Sequence, residues 1–400
     1  QQQLNVFTLS QHCLFSISFF VSIGTNMSVN RAVRIHGKHD LRFENLPVPE
    51  PEENHVLIKM ATAGLCRTDI HLLEEGRIDF IIIDKPITIG HENSGTVSKL
   101  GPGVTTLAVG DRVAMDPCRP CGDCRHCKRK RSNLCPNMTL SGVIKTDGGF
   151  ATHMTTPAYT CHKIPDHISL EEGAMMEPLS VGVYAVRRAR MEKGDSVIVT
   201  GAGPIGLLVM QVAKALGAGK VMIVDINEFR LQLASKIGVD IIHKSIAPSS
   251  DPKAAADELK AALGDEADLF IECSGAKGLV DVAIHACRPG GKVMMIGFGE
   301  MAMHAHIGMA AAREIDILGA FANFNNFPEC IELVSAGKVD VKSIITHRLP
   351  LDKVSEGMKL IQQGSQSKLS LIVHHNLLQD TGRSVQLLLP GEIIIFCELS

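Results

Sequence analysis

Four hundred residues with 45% apolar content suffice for two domains with buried cores. A net charge of −3, no Trp and two Tyr give no reason to expect nucleic acid as a partner, because neither a basic surface nor a row of stacking aromatics is supplied.

The two ends stand apart from the rest. The chain begins with Gln1, and residues 1–26 hold an apolar run from Leu14 to Gly24 that is too short to span a bilayer and has no basic segment before it. Met27 is the expected start, with 1–26 read as extraneous leader or upstream sequence. At the other end, residues 379–400 carry the runs Leu387–Leu389 and Ile393–Ile395 with no place in a fold, and are read as an atypical tail.

From Val29 to about Ser180 the pattern is β-rich. His55–Met60, Gly95–Leu100 and Asp111–Met115 predict short strands between Gly and Pro turns, spaced as in a barrel-like domain. From about Gly194 the rhythm changes to alternating strand and helix. Strands are expected at Ser196–Thr200, Lys220–Asp225, Asp240–His243, Leu269–Cys273, Lys292–Gly297 and Ile315–Gly319. Helices are expected at Leu207–Leu216, Arg230–Ile237, Pro252–Leu263 and Gly278–Cys287. That alternation implies a parallel sheet with helices on both faces. After Phe321, a helix at Pro328–Ala336 and the residues beyond it are expected to return to the first domain.

Four of the twelve cysteines follow the spacing Cys121-x2-Cys124-x2-Cys127-x7-Cys135 on a loop rich in turn residues. Close thiolates let one loop wrap a tetrahedral zinc, so a structural zinc lobe is expected at about 117–136. The competing reading is free or disulfide-paired thiols, with Cys118 near enough to blur the set. Thiols arranged for zinc imply a reducing interior, hence the cytoplasm. Lys128–Arg131 is read as a solvated loop tip beside the metal.

Gly201-Ala-Gly203-Pro-Ile-Gly206 follows the first strand of the parallel sheet and opens its first helix. In that setting Gly201 makes the tight turn, Gly203 admits a pyrophosphate and Gly206 lets helix and strand touch. Asp225 ends the second strand, placed to accept hydrogen bonds from the ribose hydroxyls and to repel a 2′-phosphate. NAD is therefore expected rather than NADP. Arg230 is placed to stack on the adenine, or to bind a phosphate if Asp225 turns away.

Two further clusters, Gly64-Leu-Cys66-Arg67-Thr68-Asp69-Ile-His71 and Gly90-His91-Glu92, offer a thiolate, an imidazole and carboxylates, the donor mix of a catalytic zinc. Taken singly, each is as readily a core cysteine or a structural histidine.

In order along the chain, GLCRTDIH, GHE, the four-Cys lobe, Met176-Glu177-Pro-Leu-Ser-Val-Gly182, GAGPIG and the Asp225/Arg230 pair resemble the zinc-dependent medium-chain dehydrogenase/reductase family, closest to its sorbitol (polyol) dehydrogenase branch. The resemblance covers roughly 30–375. It implies a GroES-like β-rich catalytic domain at 27–182, a Rossmann-type doubly wound NAD-binding domain at 183–321 and a return to the catalytic domain at 322–378. It places Cys66, His91 and Glu92 on the catalytic zinc, with Glu177 bound directly or through the zinc water. It makes Asp69 the acceptor for the far ring N–H of His91. Ile205, Asp225 and Arg230 match cofactor contacts. Ile296-Gly297-Phe298 and Ala320-Phe321-Ala322 match the nicotinamide side, and Arg67 matches a pyrophosphate-binding arginine.

The implied reaction is hydride transfer from a polyol or other secondary alcohol to NAD, giving a ketone as in sorbitol to fructose. Zinc would polarise the substrate oxygen, and Thr68, His71 and Glu177 would handle the proton. The plainer readings are a turn residue for Thr68 and a packed residue at the start of a helix for His71. A small-molecule substrate and a homo-oligomer, dimer or tetramer, are implied as partners, with no membrane. Two positions depart from the branch: Leu72 stands where it has a Tyr, and Ala322 where it has an Arg. Both losses remove polar contacts to a polyol and favour a smaller or less polar alcohol. The alternatives are a threonine 3-dehydrogenase-like enzyme and a non-catalytic NAD-binding protein.

Overall fold

The computed structural model describes residues 29–78, 81–245, 251–297, 299, 302–362 and 370–375. The expectations for 1–26, Phe298 and 379–400 lie outside the described residues.

The long strand His55–Leu65 organises the β-rich part. Along one edge it pairs with Glu92–Leu100; along the other, its first half pairs with His153–Pro157 and its second half with Ser370–His374. The sheet continues through Arg112–Met115 to Cys161–Lys163 at one end and to Ile345–Pro350 at the other. Its register shifts between Met60 and Thr62. Before the shift, Val56, Ile58 and Met60 pack in one apolar cluster; after it, Ala63 and Leu65 pack in another. One inserted residue reverses a period-two alternation, so a single strand serves two cores.

The second part is a six-stranded parallel sheet in the order Ile241–Lys244, Lys220–Asp225, Ser196–Thr200, Ala267–Glu272, Cys287–Met295, Asp316–Gly319. Chain order reverses beside Ser196–Thr200, which opens a ligand crevice at the carboxyl ends of the central strands. Each expected strand and helix of this part is present, with ends moved by a few residues. Helix Pro204–Ala215 is buried along Gly206–Ala213, because the sheet covers one side and helix Met176–Arg188 the other. A Cβ at Gly182 would lie 3.4 Å from Val209 N, so the two helices cross closely there.

Helix Met176–Arg188 runs through the expected boundary at 182. One core cluster joins Ile164, Met175 and Leu179 to Val197, Leu207 and Val221, with Phe327 and Ile344 closing it. The two parts therefore share apolar packing. Helix Phe327–Ser335 packs on Met176–Arg188, and strands Ile345–Pro350 and Ser370–His374 join the first sheet. Among the described residues, no helix is long and apolar enough to cross a membrane.

Candidate active site

Cys66 follows the end of strand His55–Leu65, and His91-Glu92 begin the antiparallel neighbour, with Gly64 facing Glu92 in register. Antiparallel pairing thus brings together residues about 25 positions apart in the chain. One ligand atom each from Cys66, His91 and Glu92 lies within 4.8 Å of the others. Gly64 makes room for this arrangement, since a Cβ there would lie 1.9 Å from Glu92 Oε2. Sequence reading passed over Gly64, although a glycine inside a strand signals close approach.

Asp69 fixes the cluster from behind. It is fully buried in helix Arg67–Glu75. Its Oδ2 accepts from Cys66 N–H at 3.0 Å and its Oδ1 from Gly90 N–H at 3.3 Å. Oδ1 also stands 3.5 Å from His91 Nδ1. One carboxylate therefore ties the thiol loop to the imidazole loop, while His91 Nδ1 itself makes no hydrogen bond. Burial opposes a charge on His91, but Asp69 and Cys66 overcome it and raise its pKa. Burial pushes the Cys66 thiol up. A buried thiol, imidazole and carboxyl this close cannot all be in their charged or ligating forms without a cation, so the donor set fits a zinc ion.

Glu177 enters from the first turn of helix Met176–Arg188. It does not join the three-residue cluster, but it lies in the same electrostatic field. Burial raises its pKa to about 8, with the charges of Glu92 and Asp116 adding to the effect against His91. Burial likewise raises Glu92 to about 7. Asp116, raised by burial to about 6, lies beside Asn323, a 2% exposed amide. Sequence spacing gives no signal for Asp116, because only tertiary contact brings it near Glu177.

Thr68 Oγ1 stands 3.5 Å from Cys66 Sγ. His71 is exposed in the middle of helix Arg67–Glu75, so it is neither packed nor at the helix start. Arg67 is exposed in the first turn of the same helix. Leu72 is fully buried in the apolar cluster around Ile35, Ile89 and Phe150, and offers the site no polar group.

The dinucleotide crevice is built around the glycine turn after strand Ser196–Thr200. Gly201 has φ +88, and a Cβ at Gly206 would lie 1.7 Å from Gly201 O, so only glycine permits this turn and this helix approach. A Cβ at Gly203 would meet nothing within 4 Å, which leaves the mouth of helix Pro204–Ala215 open to a pyrophosphate. Ile205 is half-buried one residue into that helix. Asp225 accepts from Ala202 N–H at 2.6 Å and Asn227 N–H at 2.8 Å, which clips the second strand to the glycine turn. Arg230 Nη1 is 4.0 Å from Asp225 Oδ2. Gly297 crosses the loop after the fourth strand, where a Cβ would lie 2.2 Å from Gly275 N. The buried carboxylate of Glu272, absent from the expected set, accepts from Ser274 N–H at 2.7 Å and Gly275 N–H at 3.0 Å to shape that loop. Ile296 and Ala320 are half-buried at the ends of the fifth and sixth strands. Phe321 is exposed and Ala322 half-buried.

The four cysteines of the lobe also converge, with ligand atoms within 4.8 Å. A one-turn helix, Arg125–Lys128, lies between them. Cys124 and Cys127 Sγ are 3.5 Å apart, as are Cys121 and Cys135 Sγ, well beyond the roughly 2.05 Å of a disulfide. N–H groups of Asp123 and Cys124 bring the Cys121 thiol down to about 6. The set fits a tetrahedral zinc held by four thiolates; of the basic run Lys128–Arg131, the first three residues are exposed and Arg131 is half-buried. Cys118 is buried and outside the cluster.

A doubly wound nucleotide-binding sheet beside a buried Cys–His–Glu centre defines a zinc- and nicotinamide-dependent alcohol dehydrogenase. A family model for the alcohol dehydrogenase GroES-like domain matches residues 52–166, and one for zinc-binding dehydrogenase matches residues 204–336. Sorbitol dehydrogenase of Homo sapiens is 40% identical over 342 residues, 86% of this chain and 95% of that protein. The structure of 2R,3R-butanediol dehydrogenase from Bacillus subtilis superposes with a TM-score of 0.79 at 30% identity, over 87% of this chain and 100% of that one. An alcohol dehydrogenase, rspB, from E. coli CFT073 complexed with NADH gives a TM-score of 0.80 at 26% identity over 87% and 100%. The chain belongs to the zinc-dependent medium-chain dehydrogenase/reductase family. It is an oxidoreductase, its metal is zinc and its coenzyme is NAD.

Proposed function

We propose that this dehydrogenase oxidises a secondary alcohol of the polyol class to a ketone, at a zinc held by Cys66, His91 and Glu92, with Glu177 alongside. The observation that carries the reading is the convergence of those three ligand atoms within 4.8 Å, braced by buried Asp69. Zinc supplies Lewis acidity toward the substrate oxygen, and NAD accepts the hydride. Asp69 Oδ1 lies 3.5 Å from the otherwise unpartnered His91 Nδ1, which supports Nδ1 facing Asp69 and Nε2 facing the metal side. Glu177, with a pKa near 8, can hold or release a proton around neutral pH. Thr68 and His71 are three residues apart, hence on one face of their helix. Thr68 touches the thiol side and His71 meets solvent, which supports a proton route out along that face.

The sorbitol dehydrogenase relatives point to a polyol, while two residues narrow it. Leu72 is buried in the core, and Ala322 carries no cation, so a shorter or less hydroxylated alcohol suits the site better than a hexitol. In the coenzyme crevice, the glycine turn, Asp225, Arg230 and Ile205 serve the adenosine half, and Ile296, Gly297 and Ala320–Ala322 serve the nicotinamide half. Phe298 completes that set by resemblance, with Arg67 reaching for the pyrophosphate. The division into 27–182, 183–321 and 322–378 is supported by the ends of the two sheets. A cytoplasmic location is supported by free thiols throughout the described residues. A homo-oligomer is supported by the edge strand Asp316–Gly319, which exposes Ile317 and pairs on one side only among the described residues.

The test is a rate panel with NAD: sorbitol, shorter polyols, a vicinal diol, a simple secondary alcohol and threonine. The highest kcat/KM is expected on a short diol or polyol. Preference for threonine would replace the substrate assignment. No turnover on any of them by protein that holds two zinc ions and binds NAD would reduce the chain to a binding protein.

A further inference from the structure

We propose that Asn133, inside the four-Cys lobe, is a positioning residue that holds the nicotinamide-side turn of the active site. Asn133 lies two residues before Cys135 and is 3% exposed. Its Nδ2 donates to Tyr184 OH and to the Phe321 backbone carbonyl, both at 3.1 Å. An amide NH2 has two hydrogens, and here each reaches a different element. Tyr184 stands on helix Met176–Arg188, two turns beyond Glu177. Phe321 begins the turn that leads to Ala322, whose φ of +52 is unfavourable for a residue with a Cβ. Such a conformation persists only when its surroundings hold it.

Asn133 and Phe321 are 188 residues apart in sequence, so this contact between the metal-organised loop and the turn exists only in the folded chain. The lobe takes no part in the chemistry, yet it sets where the coenzyme wall stands. This inference rests on the reading of Ala320–Ala322 as the nicotinamide side.

Asn133→Asp keeps the shape and removes both donors. In zinc-loaded protein with two metals per chain, it should raise the NAD dissociation constant roughly ten-fold. It should also speed amide hydrogen exchange at residues 321–324 while leaving 121–135 unchanged. Tyr184→Phe, which removes one of the two acceptors and lies outside the lobe, should change both readouts in the same direction by roughly two- to three-fold. Unchanged exchange at 321–324 in both variants would overturn the clamp, as would faster exchange spread evenly through the lobe. Faster exchange at the turn with unchanged NAD affinity would overturn instead the assignment of the turn to the nicotinamide side, and the proposal with it.

Discussion

At the scale of single residues, the centre depends on side chains that never touch substrate. Asp69 binds two backbone N–H groups and faces His91, so Asp69→Asn should lower zinc affinity by about 10- to 100-fold with little change in fold. Competition with a graded chelator reads this directly. Asp225 closes the adenosine end with a carboxylate, and Asp225→Ser should cut the preference for NAD over NADP at least about ten-fold in kcat/KM. His375 offers a pH prediction away from the metal. It is buried with Nε2 2.7 Å from Gly149 O and Nδ1 3.3 Å from Ala61 O, and burial lowers its pKa to about 4. The unfolded chain then binds a proton that the folded one refuses between about pH 6.5 and pH 4. The contribution of this group to stability should fall by roughly 3 kcal/mol as pH drops through that window, and be flat above it. Denaturant melts of His375→Gln across the same range should lose that slope; an unchanged slope would acquit this residue.

At the scale of elements, pairing geometry places the chemistry. The turn after His55–Leu65 and the start of Glu92–Leu100 meet because the strands are antiparallel neighbours with Gly64 opposite Glu92. Helix Arg67–Glu75 then carries Thr68 beside the thiol and His71 one turn further along the same face, exposed to solvent. The four-Cys lobe is a separate element with a separate purpose. Cys121→Ser should lower Tm by at least about 4 °C, because a structural zinc stabilises the folded loop that binds it. Cys66→Ser should leave Tm nearly unchanged while cutting kcat/KM at least about a hundred-fold. Equal melting of Cys121→Ser and the parent would remove the structural role from the lobe.

At the scale of the whole molecule, two sheets share an apolar core that includes helix Met176–Arg188, whose first turn carries Glu177. Metal analysis should find two zinc ions per chain, and chelation of the more labile one should abolish alcohol oxidation while NAD still binds. The sequence alone determined the parallel sheet, its glycine turn and the four-Cys lobe, because each is written in local periodicity or close spacing: Ser196–Gly206 and Cys121–Cys135 carry their own signal. Only the tertiary structure decided that Gly64 must be a glycine, that Leu72 belongs to the core, that helix Met176–Arg188 spans the expected domain boundary, and that Asp116, Asn133 and Asn323 border the site. The reason is physical. Periodicity and spacing describe how a segment folds on itself, whereas clearance, burial and a shared hydrogen bond exist only once distant segments have been brought into contact.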